Sequence, residues 1–307
     1  MDGNIKKDEG LTMKKTIPLL LLILIIGLLS ACQEDEERSF SIDQVKIDAQ
    51  IQDDGTIQVR ELYTYSFDGK YQGTTRSIDT DIKNFQAYET HETSPLADTD
   101  DLEKLTVEED EDDDQMMKIH TASEDETKSV LYSYEVHNAV DKYADVADLT
   151  YAFFDESNET DLNNVDIVVH LPEKASEKDF HTFLHSRVRG ELIQTGDKVH
   201  YKTQKLTKGN TSEMRLVYPA EQMTGLGVTE NEEKADNILA LERDLAKKRK
   251  NLNDKMDQIT PWILIMIGAV LTIGIILLII NPNRYRGDKG TDELLRLMES
   301  TDPLFVN

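Results

Sequence analysis

The sequence is short of cysteine: its 307 residues include one, Cys32. No disulfide can form within the chain, so an exported fold made from it relies on its apolar core. It is also short of positive charge. Sixty acidic residues outnumber 34 lysines and arginines, giving a formal net charge of -26. Phosphate binding needs a basic face, so nucleic acid is not an expected partner. An acidic surface keeps a protein soluble, repels anionic lipid, and attracts cations or a polycationic partner.

Signatures of common chemistry are missing as well. There is no Gly-x-Ser-x-Gly elbow, no His-Glu-x-x-His and no phosphate-cradling glycine loop. His181 and His185 have the i, i+4 spacing of a helical metal site, but no third ligand is nearby in sequence. They read as two surface histidines within 174–186, a short helix or loop. The most acidic stretch, Asp98–Asp114, lacks the Asp-x-Asp-x-Asp-Gly spacing of a calcium loop and reads as an exposed loop. No metal, cofactor or catalytic residue is expected. With so many carboxylates, a glycosidase-type pair cannot be picked out.

Two long apolar runs are present. The first follows Met13-Lys14-Lys15 and ends Leu29-Ser30-Ala31-Cys32. A positive start, an apolar stretch and small residues before a cleavage point make a signal segment over 13–31. The last four residues resemble the bacterial lipobox. That resemblance implies cleavage between Ala31 and Cys32 and a diacylglycerol on the Cys32 thiol. Residues 32–39 would then form an acidic tether. Residues 1–12 read as a spurious extension from a misassigned upstream start codon.

The second run, Trp262–Ile280, holds no charged residue. At 1.5 Å per residue it crosses a hydrocarbon core of about 30 Å. Trp262 suits an interface, and Pro261 is expected in the first helical turn. Residues 261–280 are therefore read as a transmembrane helix. The signal segment places 33–260 outside, which leaves 281–307 as a short cytoplasmic tail. Gly268 and Gly274 are six apart, so the GxxxG dimer spacing is absent.

Between the runs the pattern is mainly β. Val45, Ile47, Ala49 and Ile51 alternate with polar residues, Asp53-Asp54-Gly55 signals a hairpin turn, and Ile57, Val59, Tyr63, Tyr65 and Phe67 resume the alternation. Further strand-like runs are Asn84–Tyr88, Met116–Thr121, Ser129–Val136, Asp148–Phe154, Val165–Leu171, Lys198–Thr203 and Met214–Tyr218. Many short strands with turn residues between them indicate an antiparallel β-sandwich-like ectodomain over 40–222. Asn231–Ile259 reads as a helix with a narrow apolar stripe, a juxtamembrane stalk over 231–260, with a partner-binding helix as the alternative.

Three stretches carry a resemblance. They are Asp54–Glu61 with Tyr65–Gly69, then Tyr71–Ile78, then Tyr134–Val140 through Val168–Pro172. In this order they resemble the bacterial predicted membrane proteins of domain-of-unknown-function family 2207. The resemblance covers about 40–222. It implies a signal segment, an extracytoplasmic β-domain, transmembrane helices and no known activity. Members usually continue with further spans, which this sequence lacks after its first.

Glu61 falls on the inward face of its strand, where an unpaired carboxylate is costly. Arg76 follows Gly73, expected to turn the backbone sharply. Glu61 and Arg76 are expected to form a partly buried, bidentate pair. The functional expectation is an envelope binding or interaction module, held in the cytoplasmic membrane by an acyl anchor and one span. Its partner would be another envelope protein or a polymer. Two alternatives stay open: an envelope hydrolase using a carboxylate pair, and a sensor or assembly partner of a membrane complex.

Overall fold

The computed structural model describes residues 38–110 and 116–280. The signal segment, the Ala31–Cys32 cleavage and lipidation site and the tail lie outside the described residues. The chain divides at Ala235 into two compact units.

The first unit is made of strands: β1 (Ser39–Ile51), β2 (Ile57–Asp68), β3 (Lys70–Ser77), β4 (Ile82–Thr90), β5 (Glu103–Lys104), β6 (Thr106–Glu109), β7 (Met116–Glu124), β8 (Thr127–Val136), β9 (Val140–Lys142), β10 (Val146–Phe154), β11 (Leu162–His170), β12 (His181–Ser186), β13 (Glu191–Gln194), β14 (Lys198–Leu206) and β15 (Ser212–Pro219). They form an eight-stranded sheet in the order β13-β14-β11-β1-β2-β8-β4-β5, a four-stranded sheet β12-β15-β10-β9, and a three-stranded sheet β3-β7-β6. One pairing breaks the antiparallel expectation. β1 runs parallel to β11, with Val45 opposite Val165 and Gln50 opposite His170.

Strand alternation builds the core. Ile57, Val59, Tyr63, Tyr65 and Phe67 of β2 are buried, whereas Gln58 and Asp68 are exposed. A single buried cluster draws Ile47, Val59 and Tyr132 from the large sheet, Leu149 and Leu216 from the second, and Ile119 from the third. One face of the large sheet is thus covered by the two smaller ones, the layered arrangement that a one-sided apolar pattern requires. Each fully buried large aliphatic or aromatic side chain contributes about 1.5–3 kcal/mol. A smaller cluster of Leu62, Tyr88 and Leu131 is packed by Leu102.

Two expectations of helix or loop are corrected. Within 174–186, His181–Ser186 is not helix or loop but strand β12, hydrogen-bonded along β15. His185 Nδ1 lies 2.8 Å from Glu213 Oε1 across that pair. Within Asp98–Asp114, Thr106–Glu109 is not a loop but strand β6, paired with β7. Lys118 of β7 sits 2.5 Å from Asp110, and His120 lies 3.2 Å from Glu108. The Lys118 ammonium relieves part of the mutual repulsion that made a strand unexpected there.

The second unit carries one helix, α1 (Ala235–Ile280), of 46 residues. At 1.5 Å per residue it is about 69 Å long. Stalk and span are continuous, and Pro261 lies inside the helix rather than at its start. Its ring lacks the N–H that would bond the Asp257 carbonyl, but its fixed φ suits the helix. Trp262, Leu264, Met266 and Leu271 are exposed along this candidate membrane span.

Candidate binding site

The β1–β2 hairpin positions the first half of the site. Gly55 takes φ +84° in its turn, with Gln52 N–H donating to Thr56 O at 2.8 Å. A tight turn of this kind favours glycine. The register that follows places Glu61 opposite Ile47 on one side and Tyr132 on the other. Glu61 is thereby driven inward and is fully buried.

Arg76 arrives from β3. Its Nε donates to Glu61 Oε2 at 2.7 Å and its Nη2 to Glu61 Oε1 at 2.8 Å. Nη2 also donates to Phe153 O at 3.2 Å and Nη1 to Ser77 O at 2.5 Å. The guanidinium lies over the rings of Tyr63 and Phe154, 5.9 and 5.4 Å from their centroids. Burial acts most strongly, to lower the Arg76 pKa, but the Glu61 charge, its hydrogen bonds and the nearby Tyr63 and Tyr134 together outweigh it, and the net shift is upward. Arg76 therefore keeps its charge.

Tyrosines complete the network. Tyr134 OH donates to Glu61 Oε1 at 2.8 Å and lies 3.4 Å from Tyr151 OH. Tyr132 OH lies 2.9 Å from Tyr65 OH and 3.1 Å from Thr74 Oγ1. Burial pushes Tyr132 and Tyr151 each up to about 12. It raises Tyr63, Tyr65 and Tyr134 well above the ordinary tyrosine value too, with the Glu61 charge adding to the effect at Tyr63 and Tyr134.

Beside this network lies a cavity of about 530 Å³. Phe40, Tyr63, Tyr65, Phe153 and Phe154 supply aromatic walls, and Arg76, Asp79, Asp155 and Glu159 supply charge. A neighbouring space of about 190 Å³ shares Phe40, Ile42, Tyr65, Thr75 and Thr160 and adds Phe67 and Tyr71. The two make one groove at the end of the sheets opposite the Asp53–Gly55 turn.

A model of the Predicted membrane protein (DUF2207) N-terminal domain matches residues 41–218. The chain belongs to the DUF2207 family. No curated protein matches it. Among solved structures, the DUF2207 chain is similar to yeast LTA4 hydrolase bound to bestatin, with 6% identity, TM-score 0.37, and 57% of this chain against 28% of that one. It is also similar to an M1 zinc metallopeptidase E323A mutant from Deinococcus radiodurans, at 5% identity, TM-score 0.34, and 57% of this chain against 42% of that one. A putative protease from Parabacteroides distasonis gives 13% identity, TM-score 0.34, and 59% against 40%. This chain thus spans less than half the length of each, and likenesses this distant carry no argument about activity.

The structure brings Glu61 and Arg76 of the DUF2207 domain together and puts Gly55 in its turn. Gly73 is placed differently from expectation. It makes no turn but sits inside β3 at a register shift opposite β7. A Cβ there would fall 2.0 Å from Ile119 O, so the glycine permits close approach of two strands. Sequence reasoning missed Phe40, Phe153, Asp155 and Glu159 of the groove, and Tyr134 and Tyr151 of the network. The inward tyrosines were findable: Tyr132 and Tyr134 alternate with Ser133 and Glu135 in β8, and a buried phenol needs a polar partner. Also missed was Arg215, which grips buried Asp148 through Nε at 2.8 Å and Nη2 at 2.5 Å.

Proposed function

We propose that this DUF2207 protein is an extracytoplasmic binding module of the bacterial envelope, with the aromatic groove as its binding site. The observation that supports this reading most is the preformed groove itself. Ligand sites are typically concave, with aromatic walls and a few fixed polar groups. Arg76 is held by four hydrogen bonds to Glu61, Phe153 and Ser77. Such a group is preorganised and needs no rearrangement on binding.

Binding is favoured over carboxylate hydrolysis by how the buried acids of the β-domain are used. Asp48, Glu61 and Asp148 each face a basic side chain, His170, Arg76 and Arg215 respectively. A general acid kept protonated near neutral pH needs the opposite environment.

The module is fastened twice in this reading, by the diacylglycerol on Cys32 and by the span in α1. Lipid anchors bind membranes reversibly, and the span makes attachment permanent. The β-domain faces outward and residues 281–307 face the cytoplasm. Fatty-acid labelling of intact cells should mark the protein and should vanish in Cys32→Ala. Protease added to whole cells should cut within 40–230. A cytosolic, protected β-domain would sink the assignment.

The groove is tested by photo-crosslinking in intact cells. A photoreactive side chain in place of Thr160, at the groove, should form adducts. The same probe in place of exposed Lys198, at the other end of the sheets, should form none. Equal adducts from both positions would remove the groove from the account.

A further inference from the structure

We infer that the groove takes a neutral sugar, a hexopyranose unit whose C–H face stacks on Phe40 while its hydroxyls meet the polar side chains of the cavity. This deepens the binding reading above and rests on it.

The charges at the groove select neither an anion nor a cation. Arg76 is paired with Glu61 at 2.7 Å, Asp79 has a partner of its own, and Asp155 accepts from Ser157 N–H at 2.7 Å. Arg38, lying over Tyr71, and Glu159 remain, one of each sign. Selection therefore falls to the uncharged groups.

The unused hydrogen-bonding groups are hydroxyls. Thr75, Ser77 and Thr160 line the cavity, and among the described residues their side chains make no hydrogen bond. Each hydroxyl donates one bond and accepts two, and in the empty groove water fills those places. A ligand that reproduces the bonds of the water it displaces keeps its affinity, and one that cannot loses it. A sugar, with a hydroxyl on nearly every carbon, reproduces them. An acyl chain or an apolar side chain does not.

The exposed ring supplies the other half. Phe40 is 45% exposed, and its ring is buttressed edge-on by Tyr71 at 5.7 Å and by Phe67 at 6.4 Å. Its free surface is thus held in place before a ligand arrives, which lowers the cost of binding. The face of an aromatic ring is negative and attracts polarised C–H hydrogens. In a hexopyranose with equatorial hydroxyls, the axial C–H bonds of one side make a flat, positive face of that kind. Such a sugar carries an apolar face and a hydroxyl rim together, the two surfaces that this groove sets side by side.

The test uses the full chain in a polyoxyethylene detergent, which has no sugar headgroup. Two neutral β-linked probes, cellotetraose and triacetylchitotriose, are titrated. Sorbitol, an open-chain polyol without a ring face, is the comparator. At least one saccharide should bind with a Kd of about 1 mM or tighter, and sorbitol should not bind. Added salt should leave that binding unchanged, because the ligand carries no charge to screen. Phe40→Leu keeps an apolar side chain and removes the ring, and should lose about tenfold in affinity. Ile193→Ala, at an exposed apolar position on β13 outside the groove, should bind as the parent does. Failure of both saccharides to bind, equal binding of sorbitol, or an equal loss in Ile193→Ala overturns the inference. The crosslinking above separates the two claims. Adducts from position 160 that contain sugar support both, and acyl chains on those adducts distinguish a glycolipid headgroup from an envelope polymer. Adducts of peptide alone overturn the sugar while the binding module stands. No adduct from that position overturns both.

Discussion

At the end of the β-domain that carries the Asp53–Gly55 turn, the buried side chains are mostly aliphatic, Ile51, Ile57, Val136 and Val199 among them, with one tyrosine, Tyr218, whose hydroxyl donates to Met223 Sδ at 3.6 Å. At the opposite end they are Tyr63, Tyr65, Phe67, Phe153 and Phe154, with Phe40 half-exposed. Aliphatic side chains bring no polar atoms into the interior and need only fill volume. Each tyrosine brings a hydroxyl that must be paired. The aromatic end therefore carries a hydrogen-bonded network, and the network is where Glu61 and Arg76 are held and where the groove opens. One end of the same sandwich is built to be filled, and the other to hold charge in a fixed place.

The largest effect that sharpens this contrast is at the ion pair. Arg76→Met leaves Glu61 buried with no counter-charge and should cost about 3–5 kcal/mol in denaturant unfolding. Glu61→Gln should cost a similar amount. The double variant should cost clearly less than the sum, and strict additivity would mean the two side chains are not coupled.

Alkaline pH should attack the tyrosine network of the aromatic end. Tyr132 and Tyr151 are raised to about 12 in the folded chain from an ordinary value of 10.0. A raised folded pKa gives stability that is complete below pH 10 and lost as pH climbs through 12. Each of these two tyrosines contributes roughly 2–3 kcal/mol that disappears over that window. Tyrosinate absorbance should rise together with unfolding. A gradual rise near pH 10 in a chain that stays folded would contradict the buried network.

At the aliphatic end, Gly55→Ala should cost about 1–2 kcal/mol, because an alanine is strained at positive φ. The new methyl would also lie 2.9 Å from Leu226 Cδ2, a side chain able to move aside. Smallest is Phe40→Ala, which should change stability by about 1 kcal/mol or less, since the ring is already half in solvent. A large loss of stability there would show that Phe40 is core rather than a groove wall.

Much of this was legible in the residues. The β1–β2 hairpin follows from alternation and a turn glycine, and both signals are local. Glu61 was recognisable as misplaced among inward apolar residues, which made a basic partner necessary. Arg76 as that partner was not legible in the same way: it was expected through a turn at Gly73, and Gly73 lies within β3 instead. The strand β12 was not legible, because His181–Ser186 has little intrinsic strand signal and owes its form to pairing with β15. The groove was not legible either. Phe40, Thr75, Phe153 and Glu159 lie far apart in sequence and meet only when β1, β3 and β10 are assembled.

The order of residues alone determined an alternating, one-sided sheet protein with an apolar span of membrane length after it, because period and run length are properties of neighbours along the chain. Tertiary structure alone decided the parallel pairing of β1 with β11, the partner of Glu61 and the shape of the groove. Those depend on which distant segments come to lie side by side, and that choice is made by burying every inward face and pairing every inward polar group at once.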